Sequence, residues 1–240
     1  MRITVPGVAL IICLQFISAP GFSQQIPKNK YGLPVVNDVK LYNELVAVDS
    51  NKKMIDLQTM IPALAMDVKY ATTNNFSHRK LYPYAKCFFR SDAAKALKAV
   101  EDDLNKMNLG LKVFDSYRPY SVTVQMWDVL PDSTYLATPW NGSGHNCGAA
   151  IDLTLINLKT GKELPMPSAY DEPTERAWHS YSCSDSARTA NRTTLRSVME
   201  QHGFVIYPYE WWHYFFGADW KQRYEMLDLS FDELTILQPK

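Results

Sequence analysis

The sequence predicts an α+β fold: a single domain with a central, mostly antiparallel sheet flanked by helices. Three observations carry this expectation. One stretch spaces its apolar residues at three- and four-residue steps, several others show the short alternating or β-branched pattern of strands, and the two kinds follow one another without regular alternation.

In chain order, residues 1–23 read as an export signal. Arg2 supplies positive charge, residues 8–18 (VALIICLQFIS) are almost wholly apolar, and the small residues Ala19, Gly21 and Ser23 follow, which places cleavage near Ser23. The apolar run is short for a membrane span, and Ile12 before Cys13 fits a lipid-attachment site poorly. The remaining domain, residues 24–240, is therefore expected to be exported, periplasmic or secreted, with no stable membrane association after cleavage. Its length suffices for one core, and no repeat, low-complexity tract or linker divides it. Residues 24–60 carry no recognisable motif.

Residues 91–108 place Ala94, Leu97, Val100, Leu104 and Met107 on one helical face, with Ser91 as N-cap and Gly110 just past the end. Leu111, Val113 and Phe114 then form a short strand pattern that Pro119 should stop, leaving Arg118 at a strand end. Residues 149–157 (AAIDLTLIN) read as a strand carrying Asp152, and the glycine-punctuated GSGHNCG before it reads as a loop carrying His145. A second helix is expected from about Ser184 through Leu195, Val198 and Met199 to Gly203, followed by strands at 204–208 and 211–216.

Lys plus Arg and Asp plus Glu are equal at 25 each, and neither sign forms a long block. Nothing electrostatic invites nucleic acid or an anionic membrane, so a small or neutral substrate is the natural partner. The sequence carries no signal for an oligomer. Of four cysteines, Cys13 leaves with the signal. Cys87, Cys147 and Cys183 then allow one disulfide in an oxidising compartment, and no CxxC pair suggests a cysteine-type zinc knot.

A catalytic zinc site needs three protein ligands, an open position and a nearby carboxylate to take a proton from water. His145 and Asp152 flank one loop-to-strand junction, His213 arrives from a later strand, and Glu210 precedes it by three residues. Each also has a plainer reading. His145 fits a loop histidine bonded to backbone, His213 a satisfied core histidine between Trp212 and Tyr214, and Glu210 a local cap or ion pair. Asp152 is harder to explain without a cation, because it interrupts an apolar strand where an unpaired carboxylate is costly. Arg118 could face a developing oxyanion or pair with Asp115.

The segments DVKYATTNNF (67–76), FDSYRPYS (114–121), SGHNCGAAIDLTL (143–155) and EWWHY (210–214) resemble the zinc D-alanyl-D-alanine dipeptidases of the VanX type in order, spacing and residue type. The resemblance runs from about Asp67 to Phe216. It implies a metallopeptidase with one Zn2+ per chain at the sheet, held by His145, Asp152 and His213. It further implies Glu210 as base and then acid, and Arg118 as clamp on the transition state. Tyr70, Ser143 and Asp171 would hold the free amino end of a small dipeptide. Cys147 departs from the family pattern; a disulfide to Cys87 or Cys183 is expected, with zinc ligation as the alternative. His78, His179 and His202 match no metal motif and are expected at the surface or at caps. Two other readings stand beside the dipeptidase: a zinc D,D-carboxypeptidase or endopeptidase acting on cell-wall peptides, which the amine-binding trio disfavours, and a non-catalytic metal- or wall-binding module, which Glu210 and Arg118 disfavour.

Overall fold

The computed structural model describes residues 25–238; the expected export signal at 1–23 lies outside the described residues. Among them, no helix is long and apolar enough to cross a membrane.

Five strands build the central sheet: β1 (Ala65–Met66), β2 (Leu109–Asp115), β3 (Ala150–Asn157), β4 (Phe204–Tyr207) and β5 (Glu210–Phe216). Their spatial order is β1-β2-β3-β5-β4. Only the β1–β2 pair is parallel, so the sheet is mostly antiparallel, as the sequence predicts. Central β3 is buried along almost its whole length. This explains its apolar run and isolates Asp152 as its one charged side chain.

Helices α1 (Ser91–Lys106) and α3 (Ser186–Gln201) flank the sheet, and α2 (Tyr120–Val129) turns Val122 and Met126 into the core. Leu97, Val100 and Leu104 of α1 and Leu195, Val198 and Met199 of α3 are buried, and the two helices touch each other and the sheet. The expected boundaries shift for physical reasons. Ser91 is the first helical residue rather than the cap, and Arg90 precedes it without a side-chain cap. The chain leaves α1 through Asn108 in the left-handed region (φ 58°), and Gly110 lies inside β2 instead. A Cβ there would come within 2.8 Å of Leu158 Cδ2 and 3.0 Å of Glu101 Oε1, side-chain ends that would have to shift. Gly203 (φ 83°) does end α3, as expected. β2 ends at Asp115, earlier than expected, so Arg118 lies in the following loop rather than at a strand end; Pro119 is the N-cap of α2, a helix the sequence pattern does not reveal.

Candidate metal centre and active site

The sheet register assembles the site. Asp115 of β2 pairs with Asp152 of β3, and Asp152 pairs with His213 of β5, so three polar residues lie in one row across three strands. Directly opposed residues share a sheet face, which brings Asp152 and His213 together. The fourth participant, His145, sits on a single 3-10 turn, Gly144–Cys147, just before β3. Ser143 and Asn146 cap that turn reciprocally: Ser143 Oγ accepts from His145 N at 3.2 Å, and Asn146 Oδ1 accepts from Ser143 N at 2.8 Å. Arg118 N donates to the His145 carbonyl at 3.1 Å, and Asn146 Nδ2 returns a bond to the Arg118 carbonyl at 2.9 Å. The two motif loops are thus stitched into one unit before any ligand enters.

His145, Asp152 and His213 form a buried group of convergent donors. The His145 ring places Nδ1 2.6 Å from the Ser116 carbonyl oxygen, which can only accept. That contact assigns the proton to Nδ1 and leaves Nε2 with a free lone pair. His145 Nε2 lies 3.4 Å from Asp152 Oδ1 and 3.3 Å from His213 Nδ1, and His213 Nδ1 lies 2.9 Å from Asp152 Oδ1. A tetrahedral ion bound at about 2.0–2.1 Å separates its donors by about 3.3 Å, so this triangle fits a metal ion. The buried Asp152 Oδ1 has no hydrogen-bond partner, because its 2.9 Å contact with His213 lacks hydrogen-bond geometry. A buried carboxylate oxygen without such a partner, aimed at two ring nitrogens, is costly unless a cation joins them. Burial alone would raise the Asp152 carboxyl, yet His145 and His213 hold it far below the usual carboxylate range.

Glu210 opens β5, with Oε2 3.7 Å from His213 Nδ1 and 28% of its side chain exposed. Burial pushes its carboxyl up to about 7; Asp152 and Asp171 add to the rise, while His213 and Arg118 oppose it. It stands beside the donor group and contributes no donor to it. Arg118 is buried and grips Asp115 Oδ2 through Nε at 3.1 Å and Nη2 at 2.6 Å. The ion-pair reading of this arginine therefore holds geometrically, and the guanidinium that Asp115 fixes also lies 5.3 Å from the Tyr70 ring centroid.

Tyr70 and Asp171 meet as well: the Tyr70 hydroxyl donates to Asp171 Oδ2 at 2.9 Å. Asp171 adopts a left-handed backbone (φ 58°). Burial pushes its carboxyl up to about 7, with Asp152 adding to the rise and Tyr70 and Arg118 opposing it. Ser143 is not joined to this pair by a hydrogen bond among the described residues; its hydroxyl serves the metal turn. Tyr170, Asp115 and Ser116 complete the site, although the sequence singled out only Asp115, and that as a partner for Arg118. No spacing signal marks Tyr170 or the carbonyl of Ser116.

Two expectations need correction. Cys87, Cys147 and Cys183 are all free, so the expected disulfide does not form among the described residues. Cys147 packs with Ala149 and Tyr224 and takes no part in the donor group. Burial pushes the thiols of Cys87 and Cys147 up to about 12, which makes each a small apolar core residue. His179 is not a surface or capping residue but packs against Tyr214. Burial, reinforced by Arg196 and Arg192, lowers it to about 4 and keeps it neutral. His202 caps the end of α3 and reaches Asp103 of α1 at 2.8 Å, as a capping role requires.

The raised Asp171 carboxyl has a measurable consequence. A carboxyl raised on folding contributes stability that is fully present below its unfolded value and is lost as pH climbs through the folded value, here about 7. Asparagine does not ionise and escapes that loss. In metal-free protein, Asp171→Asn is expected to raise Tm relative to the parent at about pH 8.5 and to raise it by less at about pH 5, where only part of the loss has accrued. Thermal melts at the two pH values check this; an equal offset at both would refute the assigned burial cost.

Comparison with known proteins gives the family. A family model for the M15 peptidases, described as D-ala-D-ala dipeptidase, matches residues 50–227. A D-alanyl-D-alanine dipeptidase of Escherichia coli (strain K12) is 35% identical over 163 residues, covering 68% of this chain and 83% of the relative. One from Enterococcus faecalis is 30% identical over 178 residues, covering 66% and 88%. Among solved structures, the LD-carboxypeptidase LdcB aligns with a TM-score of 0.39 and 21% identity, over 64% of this chain and 71% of that one. The matched span contains every residue of the site just described, and the chain belongs to the M15 peptidase family of D-ala-D-ala dipeptidases, which are metal-dependent hydrolases.

Proposed function

We propose that the protein hydrolyses D-alanyl-D-alanine, or a similar short D-amino-acid dipeptide, with one zinc ion per chain on His145, Asp152 and His213. The observation that carries this reading is the pairing of two half-sites: the convergent donor group with Glu210 beside it, and the buried Tyr70–Asp171 pair, which Arg118 connects to it. When bound, the metal supplies Lewis-acid polarisation of a carbonyl and acidifies water. Glu210, raised toward neutrality, takes a proton from the attacking water and passes it to the leaving amine. Arg118, fixed by Asp115, presents its positive charge to the developing oxyanion. Asp171 and Tyr70 receive the substrate ammonium and close the site beyond the dipeptide's amino end. Equal numbers of acidic and basic residues favour no macromolecular partner. On the sequence of residues 1–23, the reaction takes place after export, where such dipeptides arise from wall turnover.

The test is product analysis with D-Ala-D-Ala, its N-acetyl form and L-Ala-L-Ala. Acetylation removes the cation and leaves Asp171 buried without its counter-charge, which typically costs about 2–5 kcal/mol. The kcat/KM for the acetylated substrate is thus expected to fall at least about thirtyfold, and Asp171→Ala should narrow the gap by impairing the free dipeptide. Equal rates on both forms by the unmutated enzyme would instead indicate a carboxypeptidase or endopeptidase with an open cleft.

A further inference from the structure

We infer that Tyr170 is a positioning residue that sets how Asp152 meets the metal, holding one carboxylate oxygen so that only the other faces the two histidines. This rests on the metal reading above and adds a residue to it. The Tyr170 hydroxyl donates to Asp152 Oδ2 at 3.0 Å. The other oxygen, Oδ1, makes no hydrogen bond and is the one nearest to His145 Nε2 and His213 Nδ1. A carboxylate with two free oxygens can swing between one- and two-point ligation. With Oδ2 held by a phenol, it presents a single donor in a fixed orientation.

Tyr170 is itself held. Its ring lies 4.5 Å from that of Phe114 and 5.3 Å from that of Trp212, centroid to centroid, so the hydroxyl is aimed by packing on β2 and β5. The neighbouring backbone explains how it reaches this place. In extended chain, consecutive side chains point to opposite sides, yet Tyr170 contacts Asp152 while Asp171 contacts Tyr70. The left-handed conformation at Asp171 (φ 58°) breaks the alternation and lets two successive side chains enter the same site. One dipeptide segment therefore serves both half-sites: Tyr170 orients a metal ligand, and Asp171 waits for the substrate amine.

The test is Tyr170→Phe, which keeps the ring packing and deletes only the hydroxyl. Zn2+ affinity, measured by competition with a chromophoric chelator, is expected to weaken about 10- to 100-fold, the usual consequence of losing such a supporting bond. Excess Zn2+ should restore most of the lost kcat, a recovery that general loss of packing would not allow. Tyr42→Phe serves as control, because it removes a buried hydroxyl that accepts from Met54 N away from the donor group, and it should leave Zn2+ affinity unchanged. An unaltered affinity in Tyr170→Phe, or the same loss in both variants, would overturn the positioning role while leaving the metal reading intact. Failure of the unmutated chain to bind Zn2+ would overturn both.

Discussion

Glu210→Gln is expected to bind metal like the parent and to lose about 10²- to 10⁴-fold in kcat, the range a positioned general base contributes. The two effects separate because of where the side chain sits. His145, Asp152 and His213 supply the convergent donors, and Glu210 Oε2 stands 3.7 Å from His213 Nδ1 with its carboxyl pushed up to about 7. The amide preserves volume and hydrogen bonding but cannot accept a proton. Elemental analysis alongside steady-state kinetics resolves the matter: metal content near one per chain with turnover nearly gone supports the assignment. Loss of metal as ready as in His213→Ala would make Glu210 a ligand instead. A cation beside the carboxylate draws its pKa downward. The rise of kcat/KM with pH in the loaded enzyme is therefore expected to have its inflection below about 7 rather than at it.

The legible part of the fold is the part governed by periodicity. α1 and α3 show in the spacing of apolar residues because each buries a face against the sheet, and β3 shows as an apolar run because it is buried along almost its whole length. Asp152 shows for the complementary reason, as a charge inside an apolar strand. Long-range geometry is what the sequence withholds. Sheet register decides that Asp115, Asp152 and His213 share a row, and no local pattern encodes it. α2 escapes notice because its apolar residues do not segregate cleanly onto one face. Only Tyr120, Val122, Thr123 and Met126 are buried, and one of those is a threonine. The cysteines mislead because compartment chemistry allows a bridge that the fold does not make: Cys87 and Cys147 lie buried in separate hydrophobic clusters, and Cys183 is half-buried. Tyr170 is invisible beforehand, since its role depends on a left-handed residue after it and on two aromatic neighbours from distant strands.

Removing the metal is expected to abolish peptidase activity and to lower Tm, with both restored by added Zn2+. His145 comes from a turn before β3, Asp152 from β3 and His213 from β5, so the donors converge only in the folded chain and metal affinity adds to folding stability. For free metal at about a thousand times its Kd, the linked stabilisation is about 4 kcal/mol, which for a domain of this size corresponds to roughly 10 °C in Tm. The metal-free state is also left with the buried Asp152 Oδ1 facing two imidazoles without a hydrogen bond. His213→Ala should mimic chelation in activity, and added Zn2+ should raise its Tm far less than it raises that of the metal-free parent, because one of three donors is gone. Peptidase activity that persists in protein shown by elemental analysis to be metal-free would overturn the role given to His145, Asp152 and His213. A Tm unmoved by chelation, with activity lost, would mean that the unfolded chain holds the ion about as tightly as the folded one, so that the ion adds no net folding stability.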